Sequence, residues 1–240
     1  MLWTFDAGET PMIRFTALLV LLAFAAAPAV ANGTGPFRAQ GNEPFWSLIM
    51  SDGTVAFKPL DGAPVTINSI APPRIEGDTE TYEAMAGGSP FILTIAGKIC
   101  TDTMSGMPFP KTVTVAHGGK TVNGCGGEPA SLLRRDWQIT EIAGKPVAPG
   151  SSPTVTFGDD GKLSGMGSCN RFFGDYSLSG EGLTAGPLGS TKMACEDVLT
   201  KQEFDVLTII EGLAGFGVTD DGMLTLRAKD GRTLTARPAA

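Results

Sequence analysis

Hydrophobic and polar residues alternate in short runs along most of the chain, and this pattern predicts antiparallel β-structure. A leader at 32–40 contains Gly and Pro and is expected to be loose. In the first half we predict strands at 45–50, 54–58, 91–95, 112–116 and 121–122, with weaker alternation at 65–70 and an ambiguous run at 82–85. In the second half we predict strands at 137–142, 153–157, 162–165, 175–178, 183–187, 223–227 and 233–237.

One segment, 196–212, has helical periodicity. An apolar stripe along this segment should pack across a sheet. It consists of Leu199, Val206, Leu207 and Ile210, with Leu213 just after the segment. Glu203 lies on the same stripe, where an unpaired carboxylate is costly. It therefore needs a partner, either backbone amides or Arg171. Alternatively, a small shift in phase places it at the edge of the stripe, in water.

A break at 126–129 (GGEP) divides the chain. We expect an N-terminal antiparallel β domain at 32–129 and a second domain at 130–240, in which a β-sheet is packed by the single helix. The predicted fold class is therefore mainly β with one α-helix, arranged as two small antiparallel β domains.

The first 31 residues have the features of a secretory signal peptide. Arg14 precedes an apolar run at 15–27, and small residues follow up to Ala31, so we expect cleavage after Ala31. The run is shorter than the roughly 20 residues that span a bilayer. Met12 would make a more ordinary start than Met1. We expect a periplasmic or secreted protein, monomeric, with no lipid anchor and no transmembrane segment after cleavage.

Export makes the four cysteines candidates for disulfides rather than thiols. Three pairings are possible. Because the domain boundary falls between the first two cysteines and the last two, we predict Cys100–Cys125 and Cys169–Cys195.

Composition and motifs exclude several classes of function. Acidic residues outnumber basic ones by 25 to 18, which disfavours nucleic-acid binding. No two cysteines have C-x-x-C spacing and the only histidine is His117, so neither a zinc site nor thiol redox chemistry is expected. His117 precedes two glycines and has no nucleophile beside it in a recognisable motif. We therefore predict no catalytic residues, no metal and no cofactor.

Two groups of polar residues remain as candidate binding sites. Ser105 lies in a loop beside Cys100, and a loop serine of this kind is conceivable in an inhibitor of a hydrolase. Near Cys169 a second group forms either a patch for an unknown partner or ligand, or a satisfied network that holds a turn; it comprises Asn170, Arg171, Asp175 and Lys192.

Several motifs between Trp137 and Arg237 carry a family resemblance. They are Phe157, the run SGMGSCNRFFGDY at 164–176, STKMAC at 190–195, and Glu203. This segment resembles the META domain, the HslJ-like family of bacterial envelope and secreted proteins. The resemblance implies a compact β-rich domain with one helix, and a link to stress tolerance, antibiotic resistance or virulence. It implies no catalytic reaction.

The first domain is similar to an uncharacterised family of bacterial envelope proteins, often lipoproteins. The resemblance rests on GNEPFW at 41–46, on Cys100 with the following DTMSG, and on GCGG at 124–127. Trp46 alternates with Leu48 and Met50, which indicates a core residue. We expect an exported, non-enzymatic envelope protein that supports stress or antibiotic tolerance by binding a protein or envelope component; the alternative is an inhibitor of lysozyme or a protease.

Overall fold

The computed structural model of the protein describes Met1 and residues 35–239. The expected signal-peptide cleavage after Ala31 and the alternative start at Met12 lie outside these residues. Within the described part, the regular structure consists of two large antiparallel β-sheets, a two-stranded hairpin, a short 3-10 helix at Pro129–Leu132 and one α-helix. The predicted fold class, mainly β with one α-helix, is confirmed. Both sheets belong to one compact unit that begins at Gly35.

The N-terminal sheet has nine antiparallel strands in the order β4-β3-β2-β1-β11-β10-β7-β6-β5. A separate two-stranded hairpin, β8-β9, interrupts the sequence of strands between β7 and β10. The eleven strands are β1 Phe37–Asn42, β2 Phe45–Ser51, β3 Thr54–Pro59, β4 Val65–Ile67, β5 Arg74–Glu76, β6 Thr79–Ala86, β7 Ser89–Ala96, β8 Cys100–Thr101, β9 Pro108–Phe109, β10 Lys111–His117 and β11 Lys120–Gly126.

The prediction that 32–40 is a loose leader is wrong for its later residues. Phe37–Asn42 forms β1, a central strand that pairs with β2 on one side and β11 on the other. The strand escaped the pattern because Gly41 occupies an inward position where an apolar residue was expected. The ambiguous run at 82–85 lies within β6.

This sheet curves into a half-barrel around its own core. In β2, β3, β7 and β10, buried residues alternate with half-buried or exposed ones, as a sheet with one covered face requires. The short strand β4 contacts β6, so the two ends of the curved sheet approach each other. The buried side chains include Leu48, Val55, Phe57, Phe91, Leu93, Val113 and Val115.

The C-terminal sheet is a nearly closed barrel. Its strand order is β17-β16-β15-β14-β12-β21-β20-β19, with β13 paired to β12 and β18 to β16. The end strands β17 and β19 contact each other. The strands are β12 Asp136–Ile142, β13 Lys145–Pro146, β14 Thr154–Phe157, β15 Lys162–Met166, β16 Arg171–Ser179, β17 Gly182–Ala185, β18 Gly189–Ser190, β19 Leu213–Val218, β20 Leu224–Ala228 and β21 Thr233–Pro238.

Four of these strands differ clearly from the prediction. The two-residue strands β13 and β18 were not predicted. β19 was not predicted, because Gly215 and Gly217 interrupt its apolar pattern. β16 begins at Arg171 rather than at 175 and is longer than expected. At the closure, a Cβ on Gly182 would lie 2.2 Å from the carbonyl oxygen of Ala214, so only glycine permits this approach of β17 to β19.

The helix α1, Asp197–Glu211, lies within the predicted 196–212 segment. It contacts β12, β17, β20 and β21 and buries Val206, Ile209 and Ile210. Trp137 is fully buried in the same core, and its indole Nε1 donates a hydrogen bond to the carbonyl oxygen of Leu133 at 3.0 Å. The sequence pattern thus placed the helix and two of its three buried residues, and it missed Ile209.

The N-terminal residues also contribute to the C-terminal core. Met107 is buried among the C-terminal core residues, and Phe109 packs against them. Both belong to the β8-β9 hairpin, which is joined to β11 by the Cys100–Cys125 disulfide. The boundary at 129/130 remains a prediction, but the hairpin connects the two halves physically.

Among the described residues, α1 is the one α-helix, and the structure offers no helix of sufficient length and hydrophobicity to traverse a bilayer there.

Candidate functional site

The two disulfides join Cys100 to Cys125 and Cys169 to Cys195, the pairing expected from the sequence. Each closes a loop of similar length, with sequence separations of 25 and 26. The second bond ties the turn after β15 to the segment before α1. It therefore fixes the segments GMGSCN and STKMAC against each other.

Asn170 is the centre of a buried polar network beside the second disulfide. Its Oδ1 accepts hydrogen bonds from the Met193 backbone amide at 2.7 Å and from the Thr191 hydroxyl at 2.9 Å. Its Nδ2 donates to the Met193 carbonyl oxygen at 3.3 Å and to Glu203 Oε1 at 2.9 Å. Both ends of the amide are satisfied, which is what a buried amide needs.

Glu203 accepts hydrogen bonds from backbone amides, one of the two kinds of partner expected for it. Its Oε2 accepts hydrogen bonds from the amides of Asn170 at 2.6 Å and Cys169 at 3.2 Å. A Cβ on Gly167 would lie 2.7 Å from the Glu203 Cγ, so glycine at this position makes room for the carboxylate. Arg171 is exposed and is not its partner.

The other residues of the predicted patch lie at the surface. Arg171, Asp175 and Lys192 are exposed, whereas Asn170 is buried. Asp175 forms an ion pair with Lys162 across the β15-β16 pairing. The structure therefore separates the buried amide from the three charged side chains. Asn170 with Glu203 is a structural network that holds a turn, and the exposed charges stay a predicted binding patch.

Ser105 belongs to a tight loop built around Asp102. The buried Asp102 carboxylate accepts hydrogen bonds from the Ser105 hydroxyl and amide, both at 2.8 Å, from the Met104 amide at 3.1 Å and from Asn42 Nδ2 at 2.9 Å. The Ser105 hydroxyl also accepts a hydrogen bond from the Met107 amide at 3.3 Å. Burial alone would raise the pKa of Asp102, but these hydrogen bonds lower it to about 2.

Within the GNEPFW motif, Asn42 bonds to Asp102 and Trp46 packs into the core. The Trp46 indole donates from Nε1 to the Asn123 carbonyl oxygen at 3.1 Å. A Cβ on Gly41 would lie 2.1 Å from that nitrogen, and a Cβ on Gly124 would lie 2.6 Å from the indole Cζ2. The two glycines of the neighbouring strands therefore form the surface on which the buried indole lies, and the expected core role of Trp46 fits its burial.

A cavity that no local sequence pattern predicted opens in the half-barrel. Its volume is about 530 Å³, within the range of small-molecule sites. We call it the half-barrel cavity. Its lining is mostly apolar and includes Phe45, Trp46, Phe57, Leu60, Val65, Ala86, Val115 and Val122. The ionisable side chains that line it are Asp61, His117 and Lys120.

His117 and Lys120 stand side by side on the wall of this cavity. They form the last directly paired residues of β10 and β11, next to the pair Val115 and Val122. Directly paired residues of antiparallel strands share a face. The His117 Nδ1 lies 3.1 Å from the Pro90 carbonyl oxygen and donates to it, so Nε2 is left for another partner. The half-barrel cavity thus has an apolar body and a polar corner.

Comparison with known proteins finds similarity in the C-terminal part of the chain. Residues 130–240 match the META domain. The heat shock protein HslJ of Escherichia coli (strain K12) is 37% identical over 68 residues, which are 28% of this chain and 48% of HslJ. The chain therefore spans about half the length of this relative.

Two solved structures are also similar. An NMR structure of a protein from Burkholderia xenovorans has 28% sequence identity and a TM-score of 0.40, with 47% of this chain and 89% of that one covered. A second NMR structure has 30% identity and a TM-score of 0.39, covering 47% of this chain and 95% of the other. The resemblance suggested for residues 32–129 stays a prediction. The family comparison therefore reaches only residues 130–240, which match the META domain and are partly similar to HslJ.

Proposed function

We propose that this chain is an exported, non-enzymatic protein of the cell envelope that supports stress or antibiotic tolerance by binding an envelope component. The half-barrel cavity carries this proposal, because an apolar cavity with a few convergent polar groups is the usual form of a small-molecule site. The META domain, similar to HslJ, and the two disulfides favour an envelope location.

The bonding of Ser105 and His117 supports a binding role over a catalytic one. The Ser105 hydroxyl is occupied by Asp102 and Met107, and the His117 ring binds Pro90. A nucleophilic serine needs a base within hydrogen-bond reach. Among the described residues, no hydrogen bond joins His117 to Ser105.

A deletion strain tests the proposal. Removing the gene should slow growth under heat, membrane stress or antibiotics, and the intact chain should restore it. Val122→Trp, which fills the half-barrel cavity, should restore growth poorly. Ile75→Trp places the same side chain on an exposed position of β5 and should restore it fully. Equal rescue by both variants would remove the cavity from the function.

Inhibition of a hydrolase is the second candidate, and one observation favours it. Met104 is 71% exposed at the tip of a loop that Asp102 and the Cys100–Cys125 disulfide hold rigid. A rigid exposed loop loses little entropy when it enters the site of another protein. The purified chain should then slow lysozyme or a protease, and Met104→Ala should weaken the inhibition. Unchanged hydrolase rates would eliminate this candidate.

A further inference from the structure

The half-barrel cavity has an apolar inner part and a polar corner. Trp46, Phe57 and Val115 are buried on the inner face, and Val122 is half-buried beside them. The Trp46 N–H is already bound to Asn123, so it offers nothing to a ligand. A ligand group that enters this part must be apolar, because a polar group there would lose its hydration without finding a partner.

Two apolar side chains continue this surface to the outside. Phe45 is 50% exposed and Leu60 is 62% exposed, and both line the cavity. The Leu60 amide donates to the Phe45 carbonyl oxygen at 2.8 Å, which holds the two residues together. A ligand longer than the buried part would therefore still contact apolar surface at the opening.

Lys120 supplies a positive charge at the polar corner. Among the residues that the structure describes, no carboxylate lies within ion-pair distance of its ammonium group and no hydrogen bond satisfies it. Its long aliphatic stem can follow the wall of β11 while the charge stays at the opening. His117, its direct neighbour across the strands, has Nε2 available on the same face.

Asp61 places a negative charge in the lining of the same cavity. It lies in the connection between β3 and β4, and it is exposed. An aspartate side chain is short, so its carboxylate stays hydrated near its own turn, whereas lysine reaches over the opening. We expect Lys120 to determine the sign of the ligand and Asp61 to weaken an anion slightly.

We propose that the half-barrel cavity binds an amphipathic carboxylate, with its apolar chain against Trp46 and Phe57 and its carboxylate at Lys120. This inference rests on the function proposed above and names the ligand class of the same cavity. A partly exposed ion pair contributes up to about 1 kcal/mol, which is about a fivefold change in Kd.

Three probes with the same twelve-carbon chain test the proposal: dodecanoate, dodecan-1-ol and dodecyltrimethylammonium. Each is titrated into the full chain below its micelle concentration, by calorimetry and by tryptophan fluorescence. Dodecanoate should bind about fivefold more tightly than the alcohol, and the cation should bind most weakly. Lys120→Ala should abolish the preference for dodecanoate without changing the affinity for the alcohol.

Matched variants separate charge from general effects. Lys98 follows the C-terminal end of β7 and does not line the cavity. Lys98→Ala should therefore leave all three affinities unchanged. Asp61→Ala should strengthen dodecanoate binding by about twofold, as the loss of a weak surface repulsion predicts. Tighter binding of the cation, or a dodecanoate preference that survives Lys120→Ala, would overturn the proposal.

The two proposals fail in different ways. If no probe binds while Val122→Trp still fails to rescue the deletion strain, the ligand class is wrong and the binding function stands. If Val122→Trp rescues growth fully and no probe binds, both are wrong. Thermal unfolding of each variant confirms that the comparison concerns folded protein.

Discussion

The carboxylate of Glu203 accepts a hydrogen bond from the backbone amide of Asn170 at 2.6 Å, across 33 residues of sequence. This contact joins the middle of α1 to the turn after β15. Glu203→Ala removes the acceptor from two amides and from the Asn170 side chain, so it should lower the free energy of unfolding by about 2 to 3 kcal/mol. Urea denaturation measures the loss.

Glu196→Ala is the matched control for Glu203. Glu196 is exposed, precedes α1 and makes no side-chain capping bond, so its replacement should change the free energy of unfolding by less than about 0.5 kcal/mol. Similar losses for the two variants would contradict the role given to the Glu203 network.

The Cys169–Cys195 disulfide should contribute by restricting the unfolded chain. Replacing both cysteines by alanine opens a loop with a sequence separation of 26 and should cost about 3 kcal/mol. Reduction of the intact protein should weaken it further, because Cys100–Cys125 opens as well. Peptide mapping without reductant should recover both links, and four free thiols in protein from the envelope would contradict the assignment.

Gly124 should tolerate no side chain. A Cβ there would lie 2.0 Å from the Gln40 carbonyl oxygen and would also meet the Trp46 indole. Because backbone has to move, Gly124→Ala should lower the free energy of unfolding by about 1 to 3 kcal/mol. Gly180→Ala, which meets nothing within 4 Å, is the control and should have little effect. An unchanged free energy of unfolding for Gly124→Ala would show that the backbone of β1 moves away from β11 at little cost.

Asp102 should make stability depend on pH in acid. Its pKa is lowered from 3.8 to about 2 in the folded protein, so its ionised form stabilises the fold. This contribution is fully present above about pH 4 and is lost as the pH falls through about 2. It amounts to roughly 2 to 3 kcal/mol.

Asp102→Asn tests that window. Urea denaturation at a series of pH values should show a gap between the wild type and the variant that is constant from pH 7 to about 4 and shrinks towards pH 2. A gap that stays the same over this range would mean that the charge of Asp102 does not matter.

The sequence predicted those features that depend on neighbouring residues. Alternation located most strands, the stripe around Val206 located α1, and cysteine order with the domain break predicted both disulfides. β1 escaped because Gly41 stands at an inward position where the pattern needs an apolar residue. β19 escaped because Gly215 and Gly217, which alternate with the buried Phe216, are poor strand formers. In β1 the missing side chain is supplied by Trp46, which no local pattern can show.

The candidate sites are formed by residues that are far apart in the sequence, and the sequence predicted these contacts less well than the local structure. Asn42 donates a hydrogen bond to Asp102 across 60 residues of sequence. Because Asp102 also binds Ser105, the loop serine is part of a structural network that the sequence did not predict. The half-barrel cavity is formed by strands from β2 to β11, so Trp46 and Lys120 become neighbours of one space only after the sheet curves. A partner for Glu203 was one of the two outcomes expected from the sequence, because an unpaired carboxylate on an apolar stripe is costly.

Native mass spectrometry of the chain recovered from its own envelope tests the binding account most directly. The intact protein, purified without detergent or added lipid, should carry a small bound component that dissociates on unfolding. The same component should be absent from Val122→Trp and present in Ile75→Trp. A bare mass for the intact protein, or an adduct that is unchanged in Val122→Trp, would contradict the claim that this protein acts by binding through the half-barrel cavity.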